Sequence, residues 1–299
     1  MGYGSYTSYD WTKLKTSKKL DASSSVNQIF QKREMDPRFD PRFIGKREAR
    51  DSDDHPNSTP IILGLDVTGS MGYLSKQIAQ ESLHETMMKL FSTKPVEDPQ
   101  IMFAAIGDTQ DNAPLQVTQF ESDIRIAEQL LDLWLEGRGG DGPEDYPLVW
   151  YFAAKHTSID CFEKHGRKGY IFTIGDADCH EMISKEGMNK VFDDKVRRNV
   201  MSAELARKAG AMYEIFHINI HHGAKSEYPK NLESILPGRL LKVGANEIAA
   251  LPEIIVTTML LKEGRQLQDV LELWPELTRP TVKKAVADLV LPTKKGIRF

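Results

Sequence analysis

Pro60-Ile61-Ile62-Leu63-Gly64-Leu65-Asp66-Val67-Thr68-Gly69-Ser70 is the stretch from which the fold of this chain is read. The continuous apolar run from Ile61 to Leu65 is what a strand buried on both faces requires, since such a strand has no solvent side to carry polar residues. The run stops at Asp66, whose carboxylate then sits at the rim of a sheet, where burial is costly without a counter-charge. Gly69 lets the backbone turn sharply, and Ser70 falls where the next helix begins. Asp66, Thr68 and Ser70 alternate, so three oxygen-bearing side chains can converge on one point. All-oxygen ligation by hydroxyls and carboxylates suits a hard cation such as Mg²⁺, Mn²⁺ or Ca²⁺ rather than zinc. A helix N-terminus repels a cation, so further anionic ligands are needed.

The pattern repeats outward from this stretch. Leu74, Ile78, Ala79, Leu83, Met87 and Leu90 recur at helical spacing. Further strands are predicted at Ile101–Ile106, Leu115–Phe120, Tyr170–Ile174 and Tyr213–Ile220, with an edge strand at Leu240–Val243. Helical segments lie around Ile124–Trp134 and Leu148–Phe152, over most of Met182–Ala209, and from Ile248 to Leu261, where Pro252 starts or kinks the helix. Strands alternating with helices imply a doubly wound, mainly parallel α/β sheet with helices on both faces. Its crossovers are expected to be right-handed.

Residues 1–58 are polar and charged and read as an N-terminal arm that does not fold alone. The arm contains a tandem repeat, Asp36-Pro37-Arg38-Phe39 followed by Asp40-Pro41-Arg42-Phe43. It reads as a strap anchored by Phe39, Phe43 and Ile44, with a docking peptide as the alternative. The α/β unit spans 59–263. Residues 264–299 form a short helical tail whose mixed charges give no basic footprint, so Thr281–Val286 is assigned no DNA role.

At 299 residues the chain can bury one full α/β core with appendages. A net charge of −4 gives no general reason to approach nucleic acid or an anionic membrane. Two cysteines without CxxC spacing, Cys161 and Cys179, read as reduced apolar fillers. The opening residues lack the charged start and apolar stretch of a signal peptide, and no apolar run reaches the roughly 20 residues of a membrane span. A cytoplasmic location is expected.

In an open parallel sheet, ligands bind outside the carboxyl ends of the strands. Besides Asp66–Ser70, two acidic segments fall at such ends or in a glycine-rich loop: Gly139-Gly140-Asp141-Gly142-Pro143-Glu144-Asp145 and Gly175-Asp176-Ala177-Asp178. Asp141 and Asp176 are the natural additional ligands. Glu144 and Asp145 compete with Asp141, which is favoured by its place after the glycine pair. Asp108 follows another strand and suits an outer position, while His180 and Glu181 read as solvated loop residues near the rim. His217, His221 and His222 admit a zinc site but read as strand-end histidines hydrogen-bonded to loops. Neither a GxxxxGK[ST] nor a GxGxxG loop is present, which argues against nucleotide binding.

Asp66-Val67-Thr68-Gly69-Ser70-Met71 resembles the metal ion-dependent adhesion site of von Willebrand factor A (vWA) domains, Asp-x-Ser-x-Ser. The resemblance extends over about residues 60–261. It implies the Rossmann-like vWA fold, with Asp66, Thr68 and Ser70 ligating the metal directly or through water and Asp176 as the acid that follows a later strand. Thr68 replaces a Ser and keeps the hydroxyl. The family's usual loop Thr is absent, and Asp141 stands in its place, as in the GGGD-type subset. The family uses its ion to grip an Asp or Glu of a protein ligand. Its intracellular prokaryotic members often serve MoxR-type AAA+ ATPases or other multi-protein assemblies. The resemblance therefore implies a non-catalytic, Mg²⁺-dependent adaptor. The rivals are a metal-dependent phosphohydrolase and a structural assembly component. A phosphohydrolase of the haloacid dehalogenase pattern needs a second Asp two residues after Asp66, where Thr68 stands.

Overall fold

The computed structural model describes residues 6–21, 23–71, 78, 82–138, 142–223 and 228–290. Its strands are β1 (Arg47–Ala49), β2 (Thr59–Asp66), β3 (Pro99–Ile106), β4 (Leu115–Val117), β5 (Thr157–Ile159), β6 (Gly169–Gly175), β7 (Met182–Ile183), β8 (Val200–Met201), β9 (Tyr213–His221) and β10 (Leu240–Gly244). Six of them form the main sheet, in the order β10-β9-β6-β2-β3-β4. Neighbours run parallel except β4, which returns antiparallel to β3. The architecture is the doubly wound, mainly parallel α/β sheet expected from the sequence. The chain leaves β2 on one side for β3 and resumes on the other with β6, so strand order reverses at β2. Crevices for ligands open at such a reversal, outside the carboxyl ends. Those ends carry Asp66 and, just past β6, Asp176.

Every residue of β2, β3 and β6 is buried, which is why Ile61–Leu65, Ile101–Ile106 and Tyr170–Phe172 within them read as apolar runs. Alternation still sorts the side chains. Ile61, Leu63 and Leu65 join one layer with Met87, Leu90, Ile255 and Met259, while Ile62 joins the other with Val149, Phe152, Leu205 and Ala209. Helices Leu83–Thr93 and Leu251–Lys262 cover the first face, and Pro147–Lys155 and Ser202–Ala209 the second. Pro252 lies in the first turn of its helix, where its missing N–H costs nothing, so it starts the helix rather than kinking it. Leu74 and Ala79, assigned to the helix after Ser70, lie outside the described residues.

Tyr6, Trp11, Ile29, Phe30 and Phe39 enter the first layer from the N-terminal side. The tandem repeat builds the same local structure twice: Arg38 bonds back to Asp36 and Arg42 to Asp40, each guanidinium lying over the following Phe ring. The rings then part company. Phe39 is 2% exposed and Phe43 70%, so Phe43 is not an anchor, whereas Ile44 is buried. On the C-terminal side, Trp274 donates through Nε1 to Thr257 Oγ1 at 2.8 Å, and Val282 and Ala285 are buried beside it.

Met182–Ala209 is more broken than its apolar pattern predicts. Helix Lys185–Phe192 ends at Asp193 in the left-handed region (φ 52°), and a second left-handed residue, Lys195, follows. The Asn189 side chain caps the turn by bonding both N–H and C=O of Val196. β7 and β8 then pair antiparallel before helix Ser202–Ala209. None of the described helices is long and apolar enough to cross a membrane.

Candidate metal centre

β2 delivers Asp66 to the carboxyl rim fully buried, and the chain turns around that carboxylate. Asp66 Oδ1 accepts from the Thr68 N–H at 2.8 Å and from Thr68 Oγ1 at 2.6 Å. This Asx-type turn lets an extended strand reverse into the short helical turn Gly69–Met71. Gly69 N–H donates to the Arg138 carbonyl at 2.7 Å, tying the turn to the loop that precedes Glu144. Thr68 Oγ1 lies 3.4 Å from Ser70 Oγ, and Ser70 Oγ donates to Asp176 Oδ1 at 2.9 Å. Four of the residues singled out from the sequence, Asp66, Thr68, Ser70 and Asp176, thus form one connected line at the strand-order reversal. The fifth, Asp141, lies outside the described residues.

Sequence reasoning missed Tyr146, and left Glu144 only as an alternative. Tyr146 is wholly buried, and its hydroxyl donates to Asp66 Oδ2 at 3.2 Å. Gly175 makes this possible, because a Cβ there would collide with the Tyr146 hydroxyl. Burial, with the Asp66 charge adding to it, keeps the phenol protonated and so a donor. No periodicity marks a lone Tyr before Pro147 as reaching a strand end 80 positions away. Glu144 is 5% exposed, and its Oε2 is buried with no hydrogen-bond partner among the described residues. Burial, reinforced by the Asp66 charge, pushes Glu144 well above the ordinary carboxylate range. Burial likewise raises Asp66, with Asp176 adding and the Thr68 bonds opposing.

The paired acids after β6 separate by alternation. Asp176 faces Ser70 on one side, and His222 Nε2 approaches its other oxygen at 3.2 Å. Asp178 turns away and caps helix Lys230–Ile235, accepting from the N–H groups of Asn231 and Leu232. The histidine cluster also divides. His217 is not at a strand end: it is fully buried within β9, bonded to Thr173 Oγ1 at 2.9 Å, and burial lowers its pKa to about 3. It is therefore a neutral core residue packed against the Tyr146 ring. Asp108 and Asp145, buried, and His180, half-buried, lie together beside Glu144.

The donor set fits a hard divalent cation. Hydroxyls of Thr68 and Ser70 and carboxylates of Asp66, Asp176 and Glu144 supply oxygen alone, and buried carboxylates at one rim call for positive charge. Ser70 is exposed, so the line opens outward on that side.

No protein-family model matches the chain, and no curated protein matches it. Among solved structures it is similar to the pilus adhesin SpaC of Lactobacillus rhamnosus GG, at 10% identity and a TM-score of 0.49, over 74% of this chain and 31% of that one. The chain thus spans about a third of the adhesin it matches. It is similar also to proximal thread matrix protein 1 of the mussel byssus, described with a zinc-occupied MIDAS motif (12% identity, TM-score 0.46, 68% of this chain, 48% of that). A third is the von Willebrand factor domain of the type V pili tip protein Mfa5 of Porphyromonas gingivalis (10% identity, TM-score 0.45, 70% of this chain, 97% of that).

Proposed function

We propose that this chain is a metal-dependent protein-binding module of the vWA type rather than an enzyme, with residues 59–263 as its binding unit. The observation that carries the reading is the hydrogen-bonded line Asp66–Thr68–Ser70–Asp176 at the strand-order reversal. Those four residues would hold a divalent cation, Mg²⁺ first and Mn²⁺ or Ca²⁺ as alternatives, with Glu144 or Asp141 completing the set. Bound there, the ion supplies a Lewis-acidic position for a carboxylate. The chain's own part is orientation: Tyr146 and the Thr68 amide fix the two oxygens of Asp66, and exposed Ser70 leaves the outer side reachable.

The partner is a protein offering an Asp or Glu, a MoxR-type AAA+ ATPase or a multi-protein assembly. A cytoplasmic setting is in keeping with Cys161 and Cys179, both free and buried. Against phosphohydrolysis, Thr68 stands where a second Asp is needed, and its hydroxyl donates to Asp66. The test is affinity capture from the native source with Mg²⁺ or with chelator. Wild type should retain a partner in Mg²⁺ alone, and Asp66→Ala should retain none while keeping its circular dichroism. Capture indifferent to chelator and to that substitution overturns the reading.

A further inference from the structure

We infer a second metal site, formed by Asp108, Asp145 and His180 and taking a transition-metal dication of the Zn²⁺ type. One ligand atom from each of these residues lies within 4.8 Å of the other two. The three come from separate segments: Asp108 follows β3, Asp145 precedes helix Pro147–Lys155, and His180 lies in the loop after β6. Convergence of this kind is a property of the fold and not of one acidic loop.

Backbone amides aim the carboxylates. Gln110 N–H donates to Asp108 Oδ1 at 2.6 Å, and Thr109 N–H donates to Asp145 Oδ2 at 2.8 Å. Asp108 Oδ2 is thereby left facing His180 Nε2, at 3.7 Å. Amide bonds that fix a carboxylate's orientation are the outer support that metal ligands characteristically have. Asp108 and Asp145 are 3% and 1% exposed, while the His180 side chain is 29% exposed, which gives an ion a way in from one side.

A second, independent observation points to a ligand. Glu144 Oε2 is buried and has no hydrogen-bond partner among the described residues. Its residue is held against this cluster by the backbone, His180 N–H donating to the Glu144 carbonyl at 3.2 Å. The Glu144 carboxyl lies within electrostatic reach of Asp66, Asp108 and Asp145. A buried carboxylate oxygen left without a donor is costly, and a cation held by Asp108, Asp145 and His180 would relieve it. An imidazole nitrogen beside carboxylate oxygens favours zinc over magnesium, which keeps to oxygen and to its waters. Two chemically distinct positions, all-oxygen at Asp66–Asp176 and nitrogen-containing at His180, then share Glu144 between them.

The experiment is equilibrium dialysis of the full chain against Zn²⁺ in a large excess of Mg²⁺, with Co²⁺ as a spectroscopic substitute. Wild type should retain one equivalent of Zn²⁺ that Mg²⁺ does not displace. His180→Ala and Asp108→Asn should each weaken zinc uptake by about tenfold or more and alter the visible Co²⁺ bands. His180→Gln serves if the alanine variant does not fold. Asp66→Ala should keep its zinc. The inference is overturned if wild type retains no zinc, if the His180 variants retain it unchanged, or if Asp66→Ala is the substitution that removes it. Zinc retained at His180 by a protein that binds no Mg²⁺ would defeat the proposed function and leave this site standing.

Discussion

The carboxyl rim of the main sheet and other parts of the molecule treat buried acids in opposite ways. Near the amino end of β9, Glu214 meets Arg239 at 2.6 Å and Lys262 at 3.0 Å, and these cations outweigh burial to hold its carboxyl below the ordinary range. Just after β5, burial works against the Asp160 charge, but Lys164 at 2.7 Å and Arg50 at 2.8 Å bring it down to about 2. At the carboxyl rim the balance reverses. Asp66, Glu144 and Asp145 are each raised by burial, and each is raised further by a neighbouring carboxylate. An acid placed beside a cation holds the chain together. Acids massed at the strand-order reversal cost folding free energy unless a cation offsets them.

This contrast can be broken by substitution. Glu214→Gln, which removes the shared carboxylate of Arg239 and Lys262, should lower stability by about 1–3 kcal/mol in denaturant unfolding. Asp66→Asn in metal-depleted protein should cost little or nothing in the same measurement, because it removes a burdened charge while keeping an acceptor for the Thr68 amide. Equal losses at the two positions would erase the distinction.

Titration sharpens it further. Asp145 is raised to about 6, and Asp66 and Glu144 are raised with it, so the folded rim holds protons that the unfolded chain has released. The stability this rim contributes is full below the unfolded value near pH 4 and is lost as pH rises through the folded values. The metal-depleted protein should therefore lose stability between about pH 5 and about pH 8, and Glu144→Gln should flatten that loss. Asp160 behaves inversely: its contribution is present above its unfolded value and lost as pH falls towards about 2. A thermal-unfolding pH profile identical in Glu144→Gln and wild type would contradict the assignment. Gly175→Ala acts on the rim itself, since its methyl would displace the Tyr146 hydroxyl from Asp66. It should weaken Mg²⁺ binding by about tenfold with the fold retained, and Tyr146→Phe should do the same.

The sheet was legible because its central strands are buried on both faces: Ile61–Leu65 and Ile101–Ile106 carry no polar side chain, and Tyr170–Ile174 carries polar groups only at Tyr170 and Thr173, both hydrogen-bonded. Asp66 and Asp176 were legible for a related reason, as the first acids beyond such runs. What escaped depends on contacts between distant segments. Tyr146 matters because Gly175 leaves room for it, and neither residue signals the other in sequence. Asp108, Asp145 and His180 read singly as an outer acid, an alternative to Asp141 and a solvated loop histidine; only the fold gathers them. The break inside Met182–Ala209 rests on left-handed Asp193 and Lys195, residue types that seldom announce that conformation. Phe39 and Phe43 carry the same four-residue signature yet differ wholly in burial, since a repeat specifies its local turn and not what lies opposite it.

Calorimetric titration of Mg²⁺ into the metal-depleted full chain and into Asp66→Ala tests the central claim most directly. The account requires saturable binding in wild type that is abolished in the variant, with the circular dichroism of the two proteins superimposable. Wild type that takes up no Mg²⁺, Mn²⁺ or Ca²⁺, or a variant that binds as wild type does, would contradict it.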